Sequence, residues 1–436
     1  MFKLFDISLR LNGFKIEEAK KIFEQILKIP EADFEAFTLR KRGEIVDFHL
    51  KNNQFYKELT SGVDTGDWNK LPVLSKKDLQ KPLSERLSKG YSNKSVFVNK
   101  TSGSSGHPFI FAKDKYCHAL TWASNMYRFG WFGIDFNTSY QARFYGIPLD
   151  FIGNKKERLK DFFSRRFRFP IFDLSDGFLE KVLLKFRKTK FDYINGYTSS
   201  IVLFAKFLER KKIVLQEICP SLKVCFVTSE MLFEDDRTLL ERQFGIPIVN
   251  EYGASELDLI AFQNIKGEWQ VNSETLFVEI LDENNQPVAN GNQGKIVITS
   301  LYNKAHPFIR YEIGDIGILD EKSTPKKPIL KKLIGRTNDF ALLPSGKKSP
   351  GLTFYYVTKS IIEEDGNVKE FIIKQMKIDV FQVEYVSDRI LSEVQILKIK
   401  DAISLYLEPN LDFIFIQKNA LDRTHRGKLK QFQSYL

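Results

Sequence analysis

KTSGSSGHPFIF, residues 100–111, contains six consecutive residues without a bulky side chain, Thr101–Gly106. A short apolar segment stands on each side of this run: SVFVN before it and PFIFA after it. Two such segments joined by turn-forming residues predict a β-hairpin. The sequence therefore predicts a hydroxyl- and glycine-rich loop between two strands, and the rest of the chain is interpreted from there.

Beyond this loop, strands alternate with helices. FLEKVLLKFRK and SIVLFAKFLERKK carry apolar residues at helical spacing, and DDRTLLERQFG reads as a helix with an Asp as its N-cap and a Gly after its end. KVCFVTSE and IPIVNEYGASE are buried strands that run into polar residues. This alternation predicts a mostly parallel sheet, in which ligands bind at the carboxyl ends of strands. Residues 228–230 and 250–256 lie at two such ends.

The pattern of apolar, polar and turn-forming residues changes along the chain. Residues 14–28 predict an amphipathic helix, and Ser75 is expected to cap a short helix within LPVLSKKDLQ. From Leu276 onward, alternation, a turn-rich break and alternation again predict an antiparallel lobe. After Gly335 comes a stretch rich in Gly, Pro and Ser, then two strands, a helix and a strand.

The chain of 436 residues exceeds the usual size of a single domain. We expect an α/β protein whose large N-terminal domain, 1–337, has mixed and parallel sheets with flanking helices and a β-rich lobe. A small, mobile α+β domain, 338–436, is expected to follow.

Composition narrows the class of protein. The net charge is +11, but the lysines are scattered, so nucleic-acid binding is kept only as an alternative. Three cysteines without a CxxC pair fit a reducing compartment, and His118 beside Cys117 is too little for zinc. The first residues lack the features of a signal peptide, and no apolar run is long enough to span a membrane. These patterns predict a soluble, cytoplasmic protein; they set no oligomeric state, and a homodimer stays open.

The loop at 101–106 has several interpretations. Glycine lets backbone N–H groups converge on an anion and hydroxyls add donors, which favours a phosphate site. The Walker motif is excluded because His107-Pro108 follows Gly106 where that motif has Lys-Ser/Thr. A serine nucleophile elbow requires GxSxG, which GSSG does not match. A flexible surface turn is the remaining alternative, and the loop alone does not decide.

Four further segments decide it. TSGSSGHP resembles the TSGTTGKP-type loop of adenylate-forming enzymes, the superfamily of acyl-CoA synthetases, luciferases and nonribosomal-peptide adenylation domains. EYGASE (251–256), PFIRYEIGD (307–315), GRTND (335–339) and RTHRGKLKQF (423–432) are similar to its later motifs, in its order. INGYTSS and VTSEMLFEDDR resemble the branch of phenylacetate–CoA ligase and its capsule-biosynthesis relatives.

The resemblance implies that ATP and a carboxylate form an acyl-adenylate and pyrophosphate. Residues 101–106 would surround the β- and γ-phosphates, Glu256 would hold Mg²⁺, Asp315 the ribose hydroxyls, and Arg336 the ribose or α-phosphate. The nucleotide-binding residues expected from the resemblance are Thr101, Ser102, Gly103, Ser104, Ser105, Gly106, Ser229, Glu230, Glu251, Tyr252, Gly253, Ala254, Ser255, Glu256, Asp315 and Arg336. Lys428 would be the catalytic residue that bridges the carboxylate and the α-phosphate.

Two positions depart from the family's usual pattern. The loop has His107 where the family usually has Lys, and a neutral imidazole stabilises a triphosphate less than an ammonium does. The hinge motif reads Asn338-Asp339, with Asp339 as the expected pivot.

The predicted function is therefore an AMP-forming acid ligase that uses ATP and Mg²⁺. The acid is expected to contact residues 140–147 and 195–200. The acyl acceptor is coenzyme A or, alternatively, an amine or hydroxyl of a sugar or carrier in surface polysaccharide biosynthesis. A non-catalytic nucleotide-binding scaffold is the alternative of another class.

Overall fold

The computed structural model describes residues 3–101, 109–145, 151–171, 174–336, 340–350, 368–406, 408–423 and 429–436. The chain divides into two compact units: Met1–Ile313 with Gly317–Lys332, and Gly314–Ile316 with Leu333–Leu436. The predicted fold class, a large α/β part and a smaller α+β part, is confirmed. The predicted domain boundary after residue 337 stays a prediction, because residues 337–339 lie outside the described residues.

Helices and strands alternate through most of the chain. The helices are α1 (Leu4–Leu11), α2 (Ile16–Leu27), α3 (Glu31–Asn52), α4 (Gln54–Leu59), α5 (Leu83–Arg86), α6 (Lys115–Gly130), α7 (Phe151–Phe163), α8 (Asp176–Lys188), α9 (Thr198–Lys211), α10 (Leu215–Ile218), α11 (Glu234–Phe244) and α12 (Glu393–Tyr406). The strands are β1 (Phe97–Lys100), β2 (Ile110–Lys113), β3 (Gln141–Phe144), β4 (Arg166–Phe169), β5 (Tyr193–Tyr197), β6 (Val224–Thr228), β7 (Ile248–Ala254), β8 (Asp258–Gln263), β9 (Trp269–Val271), β10 (Leu276–Leu281), β11 (Gln293–Ser300), β12 (Tyr311–Leu319), β13 (Leu330–Arg336), β14 (Phe340–Leu342), β15 (Lys348–Pro350), β16 (Val368–Gln375), β17 (Val380–Ser387), β18 (Asp412–Gln417) and β19 (Phe432–Ser434).

The central element is a seven-stranded sheet of order β4-β3-β5-β6-β7-β8-β9. The strands from β4 to β7 pair in parallel, whereas β8 and β9 are added antiparallel. The parallel arrangement follows from the crossover helices α8, α9 and α11, since parallel neighbours need long connections. The parallel sheet that the sequence predicted is therefore present, with an antiparallel edge.

The two faces of this sheet are buried differently. Ala142, Ile194 and Val227 point to one face, where α8, α9 and α11 pack over them. Phe226 and Val249 point to the other face, where the end of α6 and the turn after it cover the sheet. Successive residues of a strand alternate between faces, so each strand contributes to both cores.

The chain also forms smaller sheets. β1 and β2 form the antiparallel hairpin that the sequence predicted around residues 101–108. β10 and β11 pair antiparallel in a sheet of order β10-β11-β12-β13, as expected for the β-rich lobe. In the second unit, the strands have the order β18-β17-β16-β19, with α12 between β17 and β18 in the chain.

The structure differs from the sequence predictions in local details. Ser75 and Asp78 exchange the hydrogen bonds of a helix cap, but residues 76–79 form only a turn. Pro82 prevents continuation, because a helical proline lacks an N–H and clashes with the preceding turn. The N-cap of α11 is Phe233 rather than an Asp, and the acidic residues occupy its first turn. Within the described ranges, no helix has both the length and the apolar character needed to cross a bilayer.

Candidate nucleotide and acid site

The base of the glycine-rich loop is closed by Thr101. Its N–H donates to the carbonyl oxygen of Phe109 at 2.9 Å, and its Oγ1 accepts from the N–H of Phe109 at 3.0 Å. This pair continues the β1–β2 register, in which Lys100 is opposite Ile110. Thr101 therefore fixes where the loop begins and ends, while Ser102–Gly106 and His107 lie outside the described residues.

The far end of β2 is tied to the turn that joins β7 and β8. Buried Lys113 forms an ion pair with Asp258, the first residue of β8. At the end of β7, a Cβ placed on Gly253 would lie 2.4 Å from the carbonyl oxygen of Asp258, so only glycine fits there. The turn that follows Ala254 and carries Ser255 and Glu256 is therefore tight, and the ion pair attaches it to the hairpin.

Glu256 is held by Tyr311, the first residue of β12. The carboxylate is 6% exposed, and its Oε1 accepts a hydrogen bond from the Tyr311 hydroxyl at 3.0 Å. The Tyr311 ring lies 6.5 Å from the ring of Phe109, at an interplanar angle of 24°. Tyr311 thus contacts the residue that closes the loop and the acid of the EYGASE segment. Tyr311 lies within the PFIRYEIGD segment, but the sequence alone did not indicate a role for it.

The carboxylate of Glu256 fits a hard cation such as Mg²⁺. In the described part of the chain, it has a hydroxyl donor but no ion pair with Lys or Arg. A buried carboxylate without such a partner gains from a cation. No group of three or more potential ligands occurs among the described residues. Mg²⁺ is usually held by one or two carboxylates together with substrate phosphates and water.

The loop after β6 is anchored at the start of α9. Ser229 has a left-handed backbone (φ 70°), and the Glu230 carboxylate accepts from the N–H of Ser199 at 2.7 Å. Thr198 donates its hydroxyl to the Glu230 carbonyl at 3.3 Å. An acidic group at a helix N-terminus satisfies N–H groups that have no partner within the helix. Glu230 therefore has a structural task, and its predicted contact with adenine stays a prediction.

Glu251 lies in the middle of β7, opposite Thr228 at the end of β6, in a layer of polar side chains. Burial raises its pKa to about 7, and this rise is opposed by the charge of Arg143 and by hydrogen bonds from Asn195 and Thr228. The bond from Asn195 is long, with 3.5 Å between Nδ2 and Oε2. The next residue, Tyr252, is buried with its ring 6.3 Å from that of Trp269. Tyr252 thus packs in the core, and its contact with adenine stays a prediction.

The remaining predicted residues belong to the second of the two compact units. Asp315, in β12, is buried (8% exposed) and follows Gly314, which has a φ of 86°. Arg336 is the last residue of β13. Lys428 and Asp339 lie outside the described residues. The roles of these four residues are predictions.

Arg310, which also lies in the PFIRYEIGD segment, has a structural role. Its side chain is fully buried, and it donates to the carbonyl oxygens of Asn69 and Leu71 at 2.8 Å each. Its Nε lies 3.5 Å from Oε2 of Glu279. This arginine connects the segment before residue 74 with the β-rich lobe, so it stabilises the frame rather than a ligand.

Comparison with known proteins gives the context for this arrangement. No protein-family model matches the chain. Protein CapK of Staphylococcus aureus is 25% identical over 455 residues, which cover 98% of this chain and 96% of CapK. Phenylacetate-coenzyme A ligase of Aromatoleum evansii is 25% identical over 220 residues, 46% of this chain and 48% of the ligase.

The fold has counterparts among solved structures. The crystal structure of 2-hydroxyisobutyryl-CoA ligase, in complex with R3-HIB-AMP, superposes with a TM-score of 0.71 at 16% identity, covering 92% of this chain and 90% of the ligase. The resemblance predicted from the five motifs is therefore confirmed: this chain has the fold of adenylate-forming acid–CoA ligases, and its sequence is similar to protein CapK and to phenylacetate-coenzyme A ligase.

Proposed function

We propose that this protein activates a carboxylic acid with ATP and transfers the acyl group to coenzyme A. In the first step, a carboxylate oxygen attacks the α-phosphorus of ATP, and the bond from this phosphorus to the β-phosphate oxygen breaks. Pyrophosphate leaves with the bonding electrons. In the second step, the thiol of coenzyme A loses its proton and attacks the acyl carbon, and AMP leaves.

One observation carries this proposal: Tyr311 joins three motif segments. Its hydroxyl bonds to Glu256, and its ring faces Phe109, which closes the glycine-rich loop through Thr101. The ion pair between Lys113 and Asp258 joins the β1–β2 hairpin to the region after β7 at a second point. A buried carboxylate joined through Tyr311 to the base of a hydroxyl-rich segment is suited to a triphosphate with its cation.

The residues have distinct tasks in this proposal. Residues 101–106 bind the leaving phosphates, and Glu256 would hold Mg²⁺, whose charge would offset that of the triphosphate oxygens. Asp315 accepts hydrogen bonds from the ribose hydroxyls, and Arg336 lies near the ribose or α-phosphate. Lys428 places a positive charge between the attacking carboxylate and the α-phosphate, where negative charge develops in the transition state.

A second acceptor is favoured by the similarity to protein CapK, which extends over 98% of this chain. The capsule-biosynthesis relatives that the sequence resembles suggest transfer to an amine or hydroxyl of a sugar or carrier. The adenylation step is the same for both acceptors. They are distinguished by supplying coenzyme A or a sugar amine to the enzyme once the acid is known.

ATP–pyrophosphate exchange tests the proposal. Pools of aryl, fatty, amino and dicarboxylic acids are offered to the wild type, to Lys428→Ala and to Lys418→Ala, a control at an exposed lysine of the second unit. We expect acid-dependent exchange in the wild type and the control, and its loss in Lys428→Ala. Binding of ATP without exchange in any pool would favour the scaffold alternative, and full exchange in Lys428→Ala would overturn the assignment of that lysine.

A further inference from the structure

A group of polar side chains lies at the carboxyl ends of β3, β5 and β6 and on the part of β7 that pairs with the end of β6. Arg143 is the register partner of Asn195, and Thr228 is the partner of Glu251. Asn195 is opposite Phe226, two residues before Thr228, so all of them point to the same face of the sheet. We call this group the polar end; its members are Arg143, Asn195, Thr228 and Glu251.

The polar end replaces an apolar core at the point where ligands bind in parallel sheets. Lower on the same face, Val224, Phe226 and Val249 pack against Phe129 of α6. One or two residues further along the strands, the apolar side chains give way to charges, an amide and a hydroxyl. Arg143 and Asn195 lie in the two segments, 140–147 and 195–200, that were expected to contact the acid. Polar groups at this position therefore need a polar ligand or one another.

Arg143 makes no close ion pair among the described residues, although its charge acts on Glu251 and opposes the rise in the pKa of that carboxyl. Its guanidinium lies 4.1 Å from the centroid of the Tyr145 ring, and its Nε is buried without a hydrogen bond. The neighbouring arginines Arg166 and Arg168 both bond to Asp161, at 2.5 and 2.9 Å. The repulsion by Arg143 contributes, after burial, to lowering the pKa of Arg166 to about 10. Arg143 therefore adds a positive charge that Asp161 does not neutralise and that no close ion pair among the described residues holds.

Among the described residues, Asn195, beside Arg143, makes only long hydrogen bonds. Its Nδ2 lies 3.4 Å from the carbonyl oxygen of Phe226 and 3.5 Å from the carboxylate of Glu251. Its Oδ1 accepts from Gln141 at 3.5 Å. The usual distance for such bonds is about 2.9–3.0 Å. Because Asn195 is 5% exposed, its amide gains from a partner at closer range.

We propose that Arg143 and Asn195 bind a second anionic group on the acid, so that the preferred substrate is a dicarboxylic acid rather than an aryl or fatty acid. The planar guanidinium matches a carboxylate, with two parallel N–H donors. This inference rests on the proposed adenylation. Glu251 does not oppose it at low pH, because its raised pKa leaves the protonated form able to donate a hydrogen bond.

Exchange kinetics with matched acids test this substrate class. Dicarboxylates of increasing length are compared with the monocarboxylates and ω-amino acids of equal length, in the wild type, Arg143→Gln, Arg143→Lys and Arg187→Gln. Arg187 is exposed on α8 and serves as the control. Loss of a hydrogen-bonded charge predicts a KM for the dicarboxylate about 10- to 150-fold higher in Arg143→Gln. The KM for ATP should not change, and Arg143→Lys should recover part of the affinity.

The outcomes separate this inference from the adenylation itself. Exchange that prefers monocarboxylates or ω-amino acids, or a preference for dicarboxylates that persists in Arg143→Gln, overturns the dicarboxylate assignment while adenylation stands. If no acid supports exchange, the proposed function fails, and equilibrium binding of the dicarboxylates still tests Arg143. Equal binding by the wild type and Arg143→Gln would then reject its role.

Discussion

Replacing Glu251 with Gln should change how the stability of the protein depends on pH. Burial raises the pKa of this carboxyl from 4.5 to about 7 in the folded protein. At about 1.4 kcal/mol per pKa unit, the ionised form is then less stable in the fold by about 3 kcal/mol. The folded state binds more protons than the unfolded state between these two values, so the free energy of unfolding falls as pH rises through this range.

Glutamine has nearly the same shape and no charge, so the variant removes this penalty. We expect Glu251→Gln to be more stable than the wild type by about 3 kcal/mol near pH 8.5, and by only about 1 kcal/mol near pH 5.5. Urea unfolding at several pH values measures both free energies. The control is Glu24→Gln, at an exposed position of α2, for which the difference should be small at every pH.

A difference between Glu251→Gln and the wild type that does not vary with pH would refute this reasoning. So would a loss of stability at high pH, since it would mean that the charged carboxylate is stabilised in the fold. The same titration matters for the site, because the charge of Glu251 lies at the polar end, where the acid is proposed to bind.

Three further substitutions test the contacts around the loop. Tyr311→Phe removes the hydroxyl that donates to buried Glu256. The free energy of unfolding should fall by about 1.5–3 kcal/mol, and half-maximal exchange should need more Mg²⁺. An unchanged Mg²⁺ titration would contradict the positioning role of Tyr311. Gly253→Ala should destabilise the fold by about 1–3 kcal/mol, because the new Cβ would meet the carbonyl oxygen of Asp258. Gly43→Ala, in the middle of α3 where the space is open, should stabilise the fold by about 0.5–1 kcal/mol. Similar effects of the two substitutions in thermal unfolding would reject the close contact between Gly253 and Asp258. Thr101→Val should lower the free energy of unfolding by about 0.5–1.5 kcal/mol, and Thr101→Ser, which keeps the hydroxyl, should not; equal losses would argue against the bond to the loop.

Sequence periodicity predicted the regular parts of this fold. The apolar spacing in α2, the strand that ends at 228, and the strands and helix of the second unit all follow local patterns. β7 is longer than predicted: residues 250–254, which were expected in a polar loop, belong to this strand, because Gly253 and Ala254 pair with β8. α3 was not predicted, because its buried residues, among them Phe34 and Ile45, do not form a continuous stripe and Gly43 interrupts it. β19 was also missed; at three residues it is too short to show a period, and it forms by pairing with β16.

The site was predictable only where its residues are close in sequence. The glycine-rich loop and EYGASE are local motifs, and a reader of the sequence can assign them by resemblance. The ion pair of Lys113 with Asp258 and the bond of Tyr311 with Glu256 join residues far apart in the chain, which no local period reveals. The charge of Arg143 became meaningful only when the fold placed it beside Asn195, with Asp161 bonded to other arginines.

The most direct test of the central claim follows one oxygen atom. The acid that supports exchange is labelled with heavy oxygen in its carboxylate and converted with ATP and coenzyme A, and the phosphorus-containing products are analysed by mass spectrometry. Attack of the carboxylate on the α-phosphorus predicts that the label appears in AMP and not in pyrophosphate. Unlabelled AMP, or label in orthophosphate formed together with ADP, would contradict an acyl-adenylate and with it the proposed function.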